Sequence, residues 1–137
     1  MKNLANCKPS EFLKQTNRIR KCVEKWLKVT DVMNIRKRMP EGMPEIQKDM
    51  SKDEVEAVLE KRKTMMAEQA QRNLTAILDA MLDEHPDETL EVLALCCFVE
   101  PENVDDHTVS DYLLSINELV ADEAVRDFFT FLMSVVQ

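Results

Sequence analysis

The sequence predicts an all-α protein, a helical bundle of five to six helices with a basic N-terminal helical segment. Three observations lead there. The 137 residues include one glycine and five prolines, and a β-rich fold needs far more glycine for its tight turns. Leu, Glu, Lys, Ala and Met, the strong helix formers, are abundant. Apolar residues recur at spacings of three and four along most of the chain. The 45% apolar content is too high for full disorder, and the length suits one modest domain.

Pro9-Ser10-Glu11 opens the first helix, with Ser10 as the expected N-cap. Phe12, Ile19, Val23, Trp26 and Leu27 then form one stripe, and Lys14, Arg18, Lys21, Lys25 and Lys28 lie mostly off it. Thr30 or Asp31 starts a short second helix through Ile35 to Arg38. It must end near Pro40, because proline disfavours helix in the residue before it. Residues 40–50 hold two prolines and the only glycine (Gly42), have no periodicity, and read as a linker. Ser51 and Glu54 form a capping-box pattern. The helix they open is expected to reach about Glu84, with its charged middle, Lys61-Arg62-Lys63, as a place where it breaks or lies exposed.

Pro86 suits a first helical turn, and Asp87, Glu88 and Glu91 complement a helix N-terminus. From Leu90 to Val99 only Glu91 is charged, so this segment is expected to be the buried central helix. The acidic loop 100–107 follows. Thr108, with Asp111 three residues on, caps a helix presenting Tyr112, Leu113, Ile116, Leu119 and Val120. A last helix starts near Asp122 and carries Val125, Phe128, Phe129, Phe131, Leu132, Val135 and Val136.

Charge divides the chain into a basic segment 1–39, the linker 40–50 and an acidic bundle 51–137. Residues 1–39 hold 11 Lys/Arg against three acids, a net of +8, and the rest holds 7 against 23, a net of −16; the sum is the chain's −8. A basic arm on an acidic body suggests a protein that touches other macromolecules. Arg18, Arg20 and Lys21, and Arg36-Lys37-Arg38, are clusters that phosphate binding would need. Trp26 and Phe12 lie on the apolar stripe, so stacking platforms for single strands are missing. The basic helix packing on acidic protein, its own or a neighbour's, is the preferred account, because net charge −8 repels nucleic acid at long range.

Catalytic motifs are not found. A nucleophile elbow, a P-loop and a dinucleotide loop need glycines that this chain lacks. Cys96 and Cys97 could in principle pair with His85 or His107, but they sit in the most apolar segment, where a thiolate is disfavoured. Adjacent cysteines and two lone histidines do not make a zinc site. The loop 100–107 lacks the alternating ligands and turn glycine of a calcium loop. No enzymatic activity, metal or cofactor is expected. There is no apolar run of membrane-spanning length and no secretory signal, so a cytosolic chain with reduced thiols is expected.

Phe128, Phe129 and Phe131 cannot share one face, since Phe129 and Phe131 differ by about 160° at 100° per residue. Either both faces are sandwiched in the bundle or one is open to a partner. Phe128, Phe129, Phe131 and Leu132 are the candidate contact residues, with Arg18, Arg20 and Lys21 as a second candidate contact. Nine methionines add adaptable apolar surface that suits binding of varied helices. Such surface also allows homo-oligomerisation.

The C-terminal half runs Leu90-Glu91-Val92-Leu93-Ala94-Leu95-Cys96-Cys97, then Glu100-Pro101-Glu102-Asn103-Val104-Asp105. A Leu-rich helix ending Asn117-Glu118-Leu119 and the segment Asp122–Phe129 follow. This layout resembles the small helical tail assembly chaperones of tailed phages and prophages: an apolar helix, an acidic "E-x-V/I-D" loop, a second helix and a terminal "D-x-x-F-F" segment. The resemblance covers roughly residues 74–132 and leaves out segment 1–39. It implies a non-enzymatic protein that covers the apolar surface of the helical tape measure protein during tail assembly and helps recruit tail tube subunits. Such a protein would work in the bacterial host cytoplasm and be absent from the virion. The rival expectations are an acidic nucleic-acid mimic that inhibits a basic protein, and a DNA-binding regulator using the basic segment.

Overall fold

The computed structural model describes residues 1–136. Every regular element among them is helical: α1 (Pro9–Thr30), α2 (Val32–Arg36), α3 (Lys52–Asp79) running into a π turn (Ala80–Glu84), α4 (Pro86–Cys96), a 3₁₀ turn (Pro101–Asp106), α5 (Val109–Ala121) and α6 (Glu123–Val136). The protein is all-α. Packing divides it into two compact units. One joins Met1–Trp26 to the chain from Pro86 onward; the other is Leu27–His85. Composition changes sign at the linker, but packing divides the chain elsewhere, so the basic segment contributes to both units.

Most helix ends follow from local chemistry. α1 begins one residue before the expected cap: Pro9 takes the first helical position, where a missing N–H costs nothing, and Ser10 falls inside the first turn. α1 ends at Asp31, whose φ of 56° is left-handed and tolerable for aspartate. Asn34 Nδ2 donates to Asp31 Oδ1 at 2.7 Å across this turn. Ser51 Oγ accepts from the Glu54 N–H at 3.2 Å. From there α3 runs 28 residues through Lys61-Arg62-Lys63 without a break. Arg62 Nε donates to the Pro44 carbonyl at 2.7 Å, so the linker supports this stretch.

α4 is shorter and less buried than expected. It stops at Cys96, and Leu90 stays 41% exposed while Ala94 and Leu95 are buried. The stop is a left-handed turn at Phe98, with φ of 56°. The Cys97 and Val99 N–H groups both return to the Ala94 carbonyl, at 3.0 and 2.9 Å. Glycine normally fills this position; a phenylalanine there costs about 1–2 kcal/mol. Offsetting that cost, the turn buries Cys97 and Val99, and the Lys2 ammonium lies 5.1 Å from the Phe98 ring centroid.

The unit formed by the chain's two outer parts has a core of Ala94, Cys97, Val99 and Tyr112, with Leu93, Val104 and Ile116 packed against it. Tyr112 Oη donates to the Val104 carbonyl at 2.7 Å, pinning the 3₁₀ turn to α5. Polar side chains tie in the N-terminal part. Fully buried Asn3 donates from Nδ2 to Ser115 Oγ at 2.9 Å and to Glu118 Oε2 at 3.2 Å. Its Oδ1 accepts from the Ala5 N–H at 2.8 Å. Buried Gln15 on α1 donates to the Leu95 carbonyl at 2.6 Å. Trp26 Nε1 donates to Thr89 Oγ1 at 2.9 Å. Thr108 and Asp111 form the complete capping box at the start of α5.

The unit Leu27–His85 is thinner. α2 packs on α3, and the buried apolar side chains among its described residues are Ile35, Pro40 and Ala80. Asn73, also buried, donates to the Arg38 carbonyl at 3.0 Å and accepts from Gln69 Nε2 at 2.7 Å.

Asn3→Ala leaves Ser115 and the surrounding backbone short of buried partners. It is expected to lower stability by about 1–3 kcal/mol in urea unfolding, more than Thr108→Ala at about 1 kcal/mol. The Thr108 backbone amide holds the Asp111 carboxyl below its usual range. Its contribution is therefore present above the ordinary aspartate pKa and lost as pH falls through the lowered value. Asp111→Asn is expected to flatten that acid limb of the stability profile.

Candidate partner-binding site

α6 is positioned by Asp122, whose Oδ1 accepts from the Val125 N–H at 2.9 Å. One turn later Phe128 meets Phe12 of α1 edge-on, ring centroids 5.3 Å apart at 81°. Phe129 completes a three-ring cluster, 5.5 Å from Phe128 and 6.3 Å from Phe12. Edge-to-face rings of this kind add about 0.5–1.5 kcal/mol per pair beyond area burial. Phe131 and Leu132 lie outside the cluster. Phe131 is 62% exposed and Leu132 remains open to solvent. Of the four candidate residues, Phe128 docks α6 on α1, Phe129 touches the same ring yet is 36% exposed, and Phe131 and Leu132 are left uncovered.

More apolar side chains of this unit are exposed than the four candidates. Met133 and Val135 on α6, Val109, Leu113, Leu114 and Val120 on α5, and Leu13 on α1 are all exposed. The consecutive leucines on α5, Leu113 and Leu114, are 54% and 64% exposed. Beside the three rings lies a cavity of about 450 Å³ walled by Leu4, Phe12, Leu13, Val125 and Phe128, with Asp122 at its wall. Its volume is in the range of ligand and side-chain pockets. Contiguous apolar surface rimmed by polar groups marks interaction sites in soluble proteins.

The second candidate contact behaves differently. Arg18 forks onto Glu100, with Nη1–Oε1 at 3.0 Å and Nη2–Oε2 at 2.9 Å. This bidentate bond holds the Glu100 carboxyl below its usual range and raises the Arg18 guanidinium. Arg20 bonds Glu24 at 2.8 Å and Asn17 at 2.9 Å. Lys21, exposed, borders a shallow cavity of about 300 Å³ with Cys22, Lys25 and Glu91. Two of the three basic side chains are therefore engaged by acids of the same chain.

The four cysteines are free thiols. Burial pushes the Cys96 thiol up to about 11, with further contributions from Cys97 and Cys22. Burial raises Cys22 and Cys97 as well. His107 rests edge-on against Tyr112, centroids 5.9 Å apart. Among the described residues no group of three His, Cys, Asp or Glu side chains is placed to hold a metal ion. Among the described residues no helix is long and apolar enough to cross a membrane.

The fold and site define a helical protein with an open apolar face. No known protein family, curated protein or solved structure matches the chain.

The raised thiols carry a prediction. Alkylation of Cys22, Cys96 and Cys97 in the folded protein at neutral pH is expected to be slow, and to accelerate sharply in denaturant. For Cys96 the folded-state rate should rise about tenfold per pH unit from neutrality and level off only near pH 11. Fast labelling of Cys96 at pH 7, mapped by peptide mass spectrometry, would contradict its burial.

Proposed function

We propose that this chain is a non-enzymatic, phage-type tail assembly chaperone that binds apolar helices of a tape measure protein. The observation that carries the reading is the end of α6, where Phe131, Leu132 and Val135 stand exposed on the face that Phe128 anchors one turn earlier, with Met133 exposed on the other side. An unassembled tape measure exposes apolar helical stripes. A short amphipathic face beside a pocket binds such a stripe as helix against helix, with i, i+3, i+4 anchors filling the groove. The layout of residues 74–132, which resembles that chaperone family, supports the same role. Action in the bacterial cytoplasm and absence from the virion belong to this proposal, as does recruitment of tail tube subunits.

The engagement of Arg18 and Arg20 by Glu100 and Glu24 favours it over a DNA-binding regulator, which would present those guanidinium groups to phosphates. An acidic mimic would bind a basic protein through carboxylates, and its complex would dissolve in salt.

The test is co-expression with a tape measure protein and affinity capture at low and high salt. Capture is expected to survive high salt. It is expected to weaken about tenfold or more in Phe131→Ser/Val135→Ser, the scale of a lost apolar anchor. Because both side chains are exposed, the variant should unfold at the same urea concentration as the wild type. Capture of DNA or of a basic nuclease, released by salt, would overturn the proposal.

A further inference from the structure

Arg36-Lys37-Arg38 is the basic cluster for which binding through α6 has no use. It stands at the end of α2, in the unit Leu27–His85. Buried Ile35 seats α2 on α3. Asn73, buried on α3, holds the stretch that follows. Its Nδ2 donates to the Arg38 carbonyl at 3.0 Å, and its Oδ1 accepts from Gln69 Nε2 at 2.7 Å. A backbone pinned in this way makes a fixed wall, and between it and α3 lies a groove of about 270 Å³. The floor is apolar: Met66, Leu74 and Ile77, with small Ala70 leaving the hollow between them. Leu74 is 48% exposed. The rim is basic, formed by Arg36, Lys37 and Arg38, and no carboxylate lines the groove. All three basic residues are exposed, and among the described residues none of their side chains forms an ion pair.

We propose that this groove binds an acidic amphipathic helix of a partner protein, with apolar side chains on the α3 floor and carboxylates at Arg36, Lys37 and Arg38. Charge selects the occupant. Three adjacent cations without a counter-charge repel one another, and carboxylates would both relieve that repulsion and accept forked hydrogen bonds from the guanidinium groups. The floor excludes a bare polyanion as the best fit. A phosphate backbone would satisfy the rim but leave the apolar floor uncovered, and no aromatic side chain lines the groove to stack on a base. From Met66 to Ile77 the floor runs about 16 Å along α3, the length over which a helix displays anchors at i, i+3 or i+4, and i+7. Because Asn73 fixes the wall beforehand, little ordering is left for the moment of binding. A second cavity of about 580 Å³ shares Arg38 and Met39, but it sets Glu41 and Glu68 among Arg38 and Arg72 and selects neither sign. The groove uses different residues from the α6 face and stands apart from the proposed chaperone role.

Fluorescence anisotropy of the purified full chain tests it with labelled helical peptides that share one leucine stripe and carry Glu, Gln or Lys beside it. The Glu peptide is expected to bind about tenfold or more tighter than the Gln peptide, and the Lys peptide weakest of all. Arg36→Glu/Lys37→Glu should weaken the Glu peptide by about tenfold or more and bring the Lys peptide up. Both side chains are exposed, so this variant should keep the wild-type helix content by circular dichroism. Leu74→Ser should weaken the Glu peptide through the floor. Phe131→Ser/Val135→Ser should leave its binding unchanged, which separates this groove from the α6 face. Equal binding of the peptides, an unaffected Arg36→Glu/Lys37→Glu variant, or loss of binding in the α6 variant would overturn the proposal. So would tighter binding of labelled duplex DNA through Arg36 and Lys37, because the groove would then belong to phosphates. A wild-type dimer in sedimentation velocity that Arg36→Glu/Lys37→Glu disperses would overturn it too, by giving the groove to a second copy of the chain.

Discussion

The side chain of Asn3 crosses 112 residues of sequence to reach Ser115, and most of the outer unit depends on that tie. Bringing such distant segments together costs chain entropy that rises slowly with length. A hydrogen-bonded amide inside the core also fixes where the segment must sit, because any shift leaves a buried donor unpaired. Gln15 repeats the device from α1 to the end of α4. Once these two contacts are made, Phe12 is in place to receive Phe128. That contact also sets the direction in which the exposed end of α6 continues.

The chain has an ordinary share of apolar residues but buries few of them fully. Leu95, Ala94, Cys97, Val99 and Tyr112 are covered, while large side chains on α1, α3, α5 and α6 are not. Single exposed leucines are common on protein surfaces. Here Phe131, Leu132 and Val135 line up on one face at the end of α6. Such alignment is what distinguishes a surface meant for contact from incidental exposure.

Much of this fold was legible because it is local. Low glycine, three-and-four periodicity, and the Ser51 and Thr108 caps identify helices through interactions within one or two turns. The errors occur where a single residue competes with the pattern. Pro9 displaced Ser10 from the capping position, since a fixed φ outweighs a hydroxyl cap. α4 ended early because Phe98 adopts a left-handed turn that no glycine announces. Of the two expectations for 61–63, exposure holds at Lys61 and Lys63, and α3 runs through unbroken with Arg62 bonded to a carbonyl in the linker. Asn3 and Gln15 were invisible to periodicity, which treats buried polar residues as surface. At the candidate site, the impossibility of three phenylalanines on one face was readable. Which of them would dock was not, because that depends on Phe12, more than a hundred residues away.

The outer unit is assembled from the two separated parts of the chain, with residues 27–85 between them. During synthesis α1 therefore leaves the ribosome long before the helices it packs against. For that interval its stripe of Phe12, Ile19 and Val23 has no native cover, whereas the inner unit can close as soon as α3 has emerged. Newly made chains thus pass through a stage in which a basic amphipathic helix is free and the inner helix pair is already built. The eleven basic residues near the start give that stage a use. They keep an otherwise sticky helix dissolved, and mutually repelled from its neighbours on the same message, until α4 and α5 arrive.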